Sequence, residues 1–253
     1  MSGEFLSETL DYVRRHIAEV AVAAGRSSEE IRLVAVSKTR PPKAIQSAMN
    51  YGQLDFAENY VQEWKTKAQE LENNPELRWH IIGSLQSNKV RDVAGRAALI
   101  HSVDRTRIID EIAGRTDTPQ PILIQVNLAD EDQKAGCQPE MALNLVRHAI
   151  ETGLTPPHGL MMVPPESSDP EDARPWFRKL RELRDDIREV LEEEYPEFAP
   201  NFKELSMGMS HDLKQAIEEG ATIVRIGTAI FGARPVKGAF EPPIEEELPA
   251  EMR

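Results

Sequence analysis

A single cysteine, Cys137, stands in a chain of 253 residues, so no internal disulfide can form and no cysteine-based zinc site can be built. That suits a reducing compartment. Aromatic residues make up only 6%, and no apolar run approaches the roughly 20 residues that a membrane helix needs. The first twenty residues mix Glu, Arg, His and Asp among their apolar side chains, which is not the unbroken apolar centre of a signal peptide. Positive charge is scarce too. The 30 Lys and Arg face 43 Asp and Glu, a net charge of −13, which argues against a nucleic-acid surface while permitting a local positive pocket. The six histidines show no paired ligand spacing, so no metal site is expected. These absences leave a soluble, cytoplasmic protein with no membrane or nucleic-acid partner as the expectation.

What is present is alternation. Phe5, Leu6, Leu10, Val13, Ile17, Val20 and Ala21 recur at three- and four-residue steps and predict an amphipathic first helix, stopped at Gly25. Short β-branched runs then predict strands at 33–37, 54–57, 78–82, 98–103, 122–127, 158–163, 203–206 and 222–226. Helical stretches at 42–50, 60–71, 88–93, 105–114, 139–152, 171–194 and 212–219 separate them. Strict alternation implies a parallel sheet covered by helices, and eight units are the number at which such a sheet closes. The expected fold is therefore α/β, a single-domain (β/α)8 TIM-type barrel over residues 1–235 with an extra N-terminal helix. The alternative is an open doubly wound sheet, disfavoured because no glycine-rich turn follows the first strand. Residues 236–253, with the Glu245, Glu246 and Glu247 run, read as an acidic, flexible tail.

In such a barrel, chemistry gathers where strands end. Lys38 ends a run apolar enough to be buried on both sides. A partly desolvated lysine has a lowered pKa, and its neutral amine can form a Schiff base with an aldehyde. The alternative is a lysine that snorkels to solvent. Gly227 and Thr228 close the eighth strand and open a short turn whose N–H groups suit a phosphate, unless this is plain turn chemistry. Ser206, Gly208 and Ser210 lie in the neighbouring loop. Arg225 shares a strand face with Gly227 and needs an acceptor, a pyridine nitrogen or a carboxylate, or else an internal salt bridge. Asn59, His80 and Met161 stand near the ends of the second, third and sixth strands, although a histidine beside Trp79 also reads as an interior residue with its needs already met. Cys137 has no basic neighbour to activate it, and Asp130, Glu131 and Asp132 read as a solvated turn.

These residues fall within a longer series: Ala35-Val36-Ser37-Lys38, Glu58-Asn59-Tyr60-Val61-Gln62-Glu63, Trp79-His80-Ile81-Ile82-Gly83 and Leu85-Gln86-Ser87-Asn88-Lys89 come first. Gly159-Leu160-Met161, Leu205-Ser206-Met207-Gly208-Met209-Ser210 and the run from Val224 through Arg225, Gly227 and Thr228 to Gly232 follow. In this order they resemble the pyridoxal phosphate homeostasis proteins, whose barrel is similar to the N-terminal domain of alanine racemase. The resemblance runs from about Leu6 to Arg234, with Ser84 standing where many relatives carry proline. It implies a pyridoxal 5′-phosphate site in which Lys38 forms the Schiff base and Ser210, Gly227 and Thr228, with Ser206, bind the phosphate. Arg225 would face the pyridine nitrogen, and Asn59, His80 and Met161 would line the pocket.

The function implied is intracellular homeostasis of pyridoxal phosphate, by storage, buffering or delivery, with no strong catalysis. The alternative is a pyridoxal phosphate-dependent amino-acid racemase of low activity. Two points favour the carrier. A two-base racemase needs a tyrosine opposite Lys38 that alanine racemase takes from a second domain, and fewer than about twenty residues follow Arg234, too few for one. An arginine at the ring nitrogen also disfavours its protonation and so weakens the ring as an electron sink. The expected partners are apo-forms of pyridoxal phosphate enzymes, and the expected state is a monomer.

Overall fold

The computed structural model describes residues 3–131 and 133–233. The expected tail at 236–253, and Asp132 of the acidic turn, lie outside the described residues.

Eight short strands run through it: β1 (Arg32–Val36), β2 (Asp55–Glu58), β3 (Arg78–Ile81) and β4 (Leu99–Val103). They continue as β5 (Ile122–Gln125), β6 (Pro157–Met161), β7 (Glu204–Ser206) and β8 (Ile223–Ile226). They pair in sequence order as a closed, parallel barrel. The closing seam decides against an open sheet: Arg32, Leu33, Val34 and Ala35 of β1 pair with Ile223, Val224, Arg225 and Ile226 of β8. Strand parity divides the apolar residues between two cores. Val34, Val36, Ala57, Leu99, Leu123, Met161 and Ile223 fill the barrel interior. The alternate residues, such as Ala35, Phe56, Ile81, Ile100 and Val224, pack outward against the helices.

The outer layer is built from α1 (Gly3–Ala23), α2 (Pro42–Met49), α3 (Val61–Glu70), α4 (Val90–Val93) and α5 (Thr106–Ala113). It continues with α6 (Pro139–Glu151), α7 (Arg174–Glu194), α8 (Leu213–Glu218) and the single turn α9 (Thr228–Phe231). The helix after β8 is only four residues long, so it leaves a gap on the outside of the seam. Helix α1 fills that gap, packing against α8, α9 and α2. Its stripe of Leu6, Leu10, Val13 and Ile17 is buried, each side chain contributing about 1.5–3 kcal/mol relative to exposure. Thr9 Oγ1 pins it by donating to the Ile230 carbonyl at 2.9 Å. The N-terminal helix is thus the missing eighth outer helix of the barrel.

Some boundaries differ from the sequence expectation for local reasons. Strand β5 ends at Gln125 rather than 127, because Val126 makes only an isolated bridge to Cys137. The long seventh helix starts at Arg174 rather than 171, since Pro170–Ala173 forms a 3-10 turn and Pro175 occupies the helix's first turn. No helix among the described residues is long and apolar enough to cross a membrane.

Candidate functional site

Strands β7, β8, β1 and β2 are consecutive around the barrel, so their C-terminal ends form one continuous arc of the rim. Lys38 follows β1, continues the inward parity of Val34 and Val36, and is half-buried. Gly227 follows β8 alongside Val36, two residues before Lys38. A Cβ placed on Gly227 would lie 3.4 Å from both the Cβ and the carbonyl oxygen of Val36. Gly227 caps α9, whose first residue, Thr228, is exposed, as is Ser210 in the loop after β7. That loop turns at Gly208, with φ of 93° and room for no Cβ, which would sit 2.5 Å from the Cβ of Ala216. Met209 N donates to Asp212 Oδ1 and fixes the loop's far side. Across the seam, Arg40 Nη2 donates to the carbonyls of Gly232 and Ala233 at 2.6 and 2.7 Å, tying the loop after β1 to the turn after β8.

Asn59, after β2, is half-buried, and its Oδ1 is a buried acceptor without a hydrogen-bond partner among the described residues. Its backbone is pressed against Gly83, where a Cβ would overlap the Asn59 carbonyl. Met161 is buried in the interior core and faces Ser206 in register.

Arg225 is almost completely buried. Its Nη1 donates to Ser206 Oγ at 2.7 Å and its Nη2 to the Met162 carbonyl at 2.8 Å. Those bonds use two of the five guanidinium N–H groups. Burial pulls its pKa down to about 10, against the opposing pull of Asp212, so it stays a cation at neutral pH. A buried cation requires hydrogen-bond acceptors, and the interior supplies them in series. Ser206 Oγ lies 2.8 Å from His101 Nδ1, His101 Nε2 lies 2.9 Å from His80 Nδ1, and His80 Nε2 lies 2.9 Å from Asp55 Oδ1. Arg78 closes the far end with a bidentate pair to Asp55.

The hydrogen positions follow from the two ends. Arg225 can only donate and the Asp55 carboxylate can only accept. His80 Nε2 therefore carries a proton, His80 Nδ1 accepts from His101 Nε2, and Ser206 donates to His101 Nδ1. Both imidazoles are neutral. Burial lowers the pKa of each, well below the ordinary value for His101, where the Arg225 charge acts in the same direction. Burial alone would raise Asp55, but hydrogen bonds from Arg78 and His80 outweigh it and hold the carboxyl far below its usual range.

The rim thus gathers Lys38, Asn59, Arg225, Gly227, Thr228 and Ser210 on adjacent strand ends. Two expected residues have a different place. His80 is fully buried with both ring nitrogens engaged, and it touches the rim only through His101 and Ser206. The Ser206 side chain points into the barrel with its hydroxyl hydrogen committed to His101, so it supports Arg225. Sequence reasoning missed His101 and Asp55 altogether, and also Glu58, Glu63 and Lys67, which pack behind Lys38.

Residues 9–235 match the family described as alanine racemase, N-terminal domain. The pyridoxal phosphate homeostasis protein of Aquifex aeolicus is 45% identical over 230 residues, covering 90% of this chain and 97% of that protein. Its Escherichia coli K12 namesake is 41% identical over 90% of this chain and 97% of its own length. The chain belongs to the pyridoxal phosphate homeostasis family. A solved structure of similar shape, PipY of Synechococcus elongatus PCC7942 with PLP bound, superposes with a TM-score of 0.73 at 34% identity, over 85% of this chain and all of that one. The homeostasis-family barrel is therefore an alanine racemase-like fold that one related protein uses to hold PLP.

Proposed function

We propose that this chain binds pyridoxal 5′-phosphate at the rim formed by β7, β8, β1 and β2, and stores, buffers or delivers it without strong catalysis of its own. The observation that carries the reading is Arg225, a buried, charged guanidinium fixed on the strand beside that of Lys38, with N–H groups to spare among the described residues. The residues present fit the cofactor. Lys38 supplies the amine for its aldehyde, and Ser210, Gly227 and Thr228 supply donors for its phosphate. The unpartnered Asn59 Oδ1 suits a ring hydroxyl, and Met161 gives an apolar floor.

Bound, pyridoxal phosphate supplies an electron-withdrawing ring to whatever amine it joins. Here Arg225 limits that role. Its fixed positive charge opposes protonation of a ring nitrogen placed beside it, and the unprotonated ring draws electrons weakly. The neutral histidines below offer no proton either, since every hydrogen in the series is directed away from the rim. A barrel that grips the cofactor yet mutes its chemistry suits a carrier better than an amino-acid racemase. The relatives' names support the same role. The reading includes a cytoplasmic, monomeric protein that passes the cofactor to apo-forms of pyridoxal phosphate enzymes.

Adding pyridoxal phosphate to the purified chain is expected to give a visible absorbance band, lost in Lys38→Ala, and a borohydride-fixed adduct that maps to Lys38 by mass spectrometry. Transfer to an apoenzyme should outpace release into buffer. A chain that stays colourless at saturation, or an adduct on another lysine, sinks the binding site. Sustained turnover of L-amino acids to their D-forms sinks the carrier role.

A further inference from the structure

Lys38 sits between two unusual neighbours. Thr39 has φ of 67°, a left-handed conformation that β-branched residues strongly avoid. Ser37 is fully buried, with its hydroxyl donating to Glu58 Oε1 at 2.6 Å. Behind both, on the outer face of the barrel, lies a buried ionic group. Lys67 of α3 is 3% exposed, and its Nζ donates to Glu58 Oε1, Glu63 Oε1 and the Ser37 carbonyl, each at 2.7 Å. Glu63 Oε1 in turn accepts the Thr39 amide at 2.5 Å. The carbonyl before Lys38 and the amide after it are thus both captured by one ion pair on one helix.

Burying such charges is costly, and a well-packed apolar cluster would hold α3 against the sheet at least as well. Glu58 is completely buried and its Oε2 lacks a hydrogen-bond partner among the described residues. Strain and buried charge together, at the two residues flanking a functional lysine, indicate a device that fixes direction rather than one that adds stability.

We propose that Lys67 and Glu63 are positioning residues for Lys38, clamping the backbone on both sides so that its amine meets the incoming aldehyde already aligned. The proposal rests on the binding role given above and deepens it: the speed of cofactor capture is set from behind the strand. Holding the chain in advance removes ordering that capture would otherwise require.

The test compares full-length wild type with Glu63→Ala and Thr39→Gly, neither of which strips the buried Glu58 of its lysine, and with Lys67→Met where that variant folds. Three quantities are read: urea stability of the cofactor-free chain, hydrogen exchange of the residue-39 amide, and the stopped-flow rate of visible-band growth with pyridoxal phosphate. Thr39→Gly is expected to be as stable as wild type or more so, because glycine accepts this φ freely. Glu63→Ala loses the acceptor, so its residue-39 amide should exchange at least tenfold faster and capture should slow about tenfold, whereas Thr39→Gly keeps the acceptor and should capture near the wild-type rate. A purely structural role would make capture follow stability across the variants, so capture at the wild-type rate in folded Glu63→Ala overturns the proposal. An unprotected Thr39 amide in the wild-type chain overturns it as well. Should the wild type capture no pyridoxal phosphate, the binding role itself fails, and the amide exchange still decides whether the clamp exists.

Discussion

Replacing His101 by Phe tests whether the histidine pair in the barrel interior is neutral. His101 is 0% exposed, and the substitution strands two buried partners, the Ser206 hydroxyl and His80 Nδ1. At about 1–3 kcal/mol for each unsatisfied group, the variant should be less stable than wild type by roughly 2–6 kcal/mol at pH 7.5. Acidification then separates the possible charge states. The folded pKa of His101 lies well below the ordinary value, chiefly through burial. The contribution of such a group is complete above the unfolded-state pKa of about 6.5 and is lost as pH falls below it, at about 1.4 kcal/mol per pH unit, until the folded pKa is reached. Wild type should therefore lose about 1.4 kcal/mol between pH 7.5 and 5.5 through this one residue, a loss that His101→Phe cannot show. The gap between the two proteins, read from urea unfolding at both pH values, should shrink by that amount. A gap that widens on acidification would mean His101 is charged in the folded protein, and the hydrogen directions assigned to the whole series would be wrong.

Other perturbations bear on separate parts of the barrel. Burial, reinforced by the nearby Asp104 charge, pushes the Cys137 thiol up to about 12. Native protein at pH 8 should therefore resist iodoacetamide and be labelled only in denaturant, and rapid native labelling would refute that placement. Gly159→Ala would drive a Cβ into the Glu204 carbonyl at φ of 149°, so a loss of about 3 kcal/mol or more in urea unfolding is expected, and a variant of wild-type stability would contradict the β6–β7 register. Arg40→Ala removes two charge-assisted bonds across the seam and should weaken pyridoxal phosphate binding about 5- to 20-fold in a fluorescence titration. Unchanged affinity would show that the β8 turn holds its shape unaided.

Much of the fold was legible because its signals are local. Eight β-branched runs at regular spacing, with amphipathic stretches between them, require a covered parallel sheet, and the pairing of β1 with β8 closes it as expected. What α1 does was not legible: its apolar stripe is plain, but only the shortness of α9 reveals which gap the stripe fills. At the site, Lys38, Arg225 and Gly227 could be found from strand ends alone. The interior series could not, since His80, His101 and Ser206 meet across the barrel from positions 21 and 105 residues apart. Strand parity was the available clue, because 78, 80 and 101 fall on inward positions of strands already recognised. Lys67 was missed for a different reason. It lies in the same helical stripe as Val61, Trp64, Ala68 and Leu71, and a lysine on a buried stripe was the sign that a charge lay beneath.

The uniform orientation of the interior hydrogens has one more consequence. A string of donors and acceptors conducts only in the sense in which its hydrogens already point, and here that sense leads from Arg225 down to Asp55. Any current in that sense would have to begin by stripping a guanidinium and end on one of the most acidic carboxyls in the molecule, already gripped by Arg78. Current in the other sense would first require the Ser206, His101 and His80 hydrogens to turn around together, and it would end at a guanidinium that has no lone pair to accept them. The barrel axis therefore behaves as a strut and not as a conduit: it fixes one charge at the rim while insulating that rim from the solvent at the opposite end.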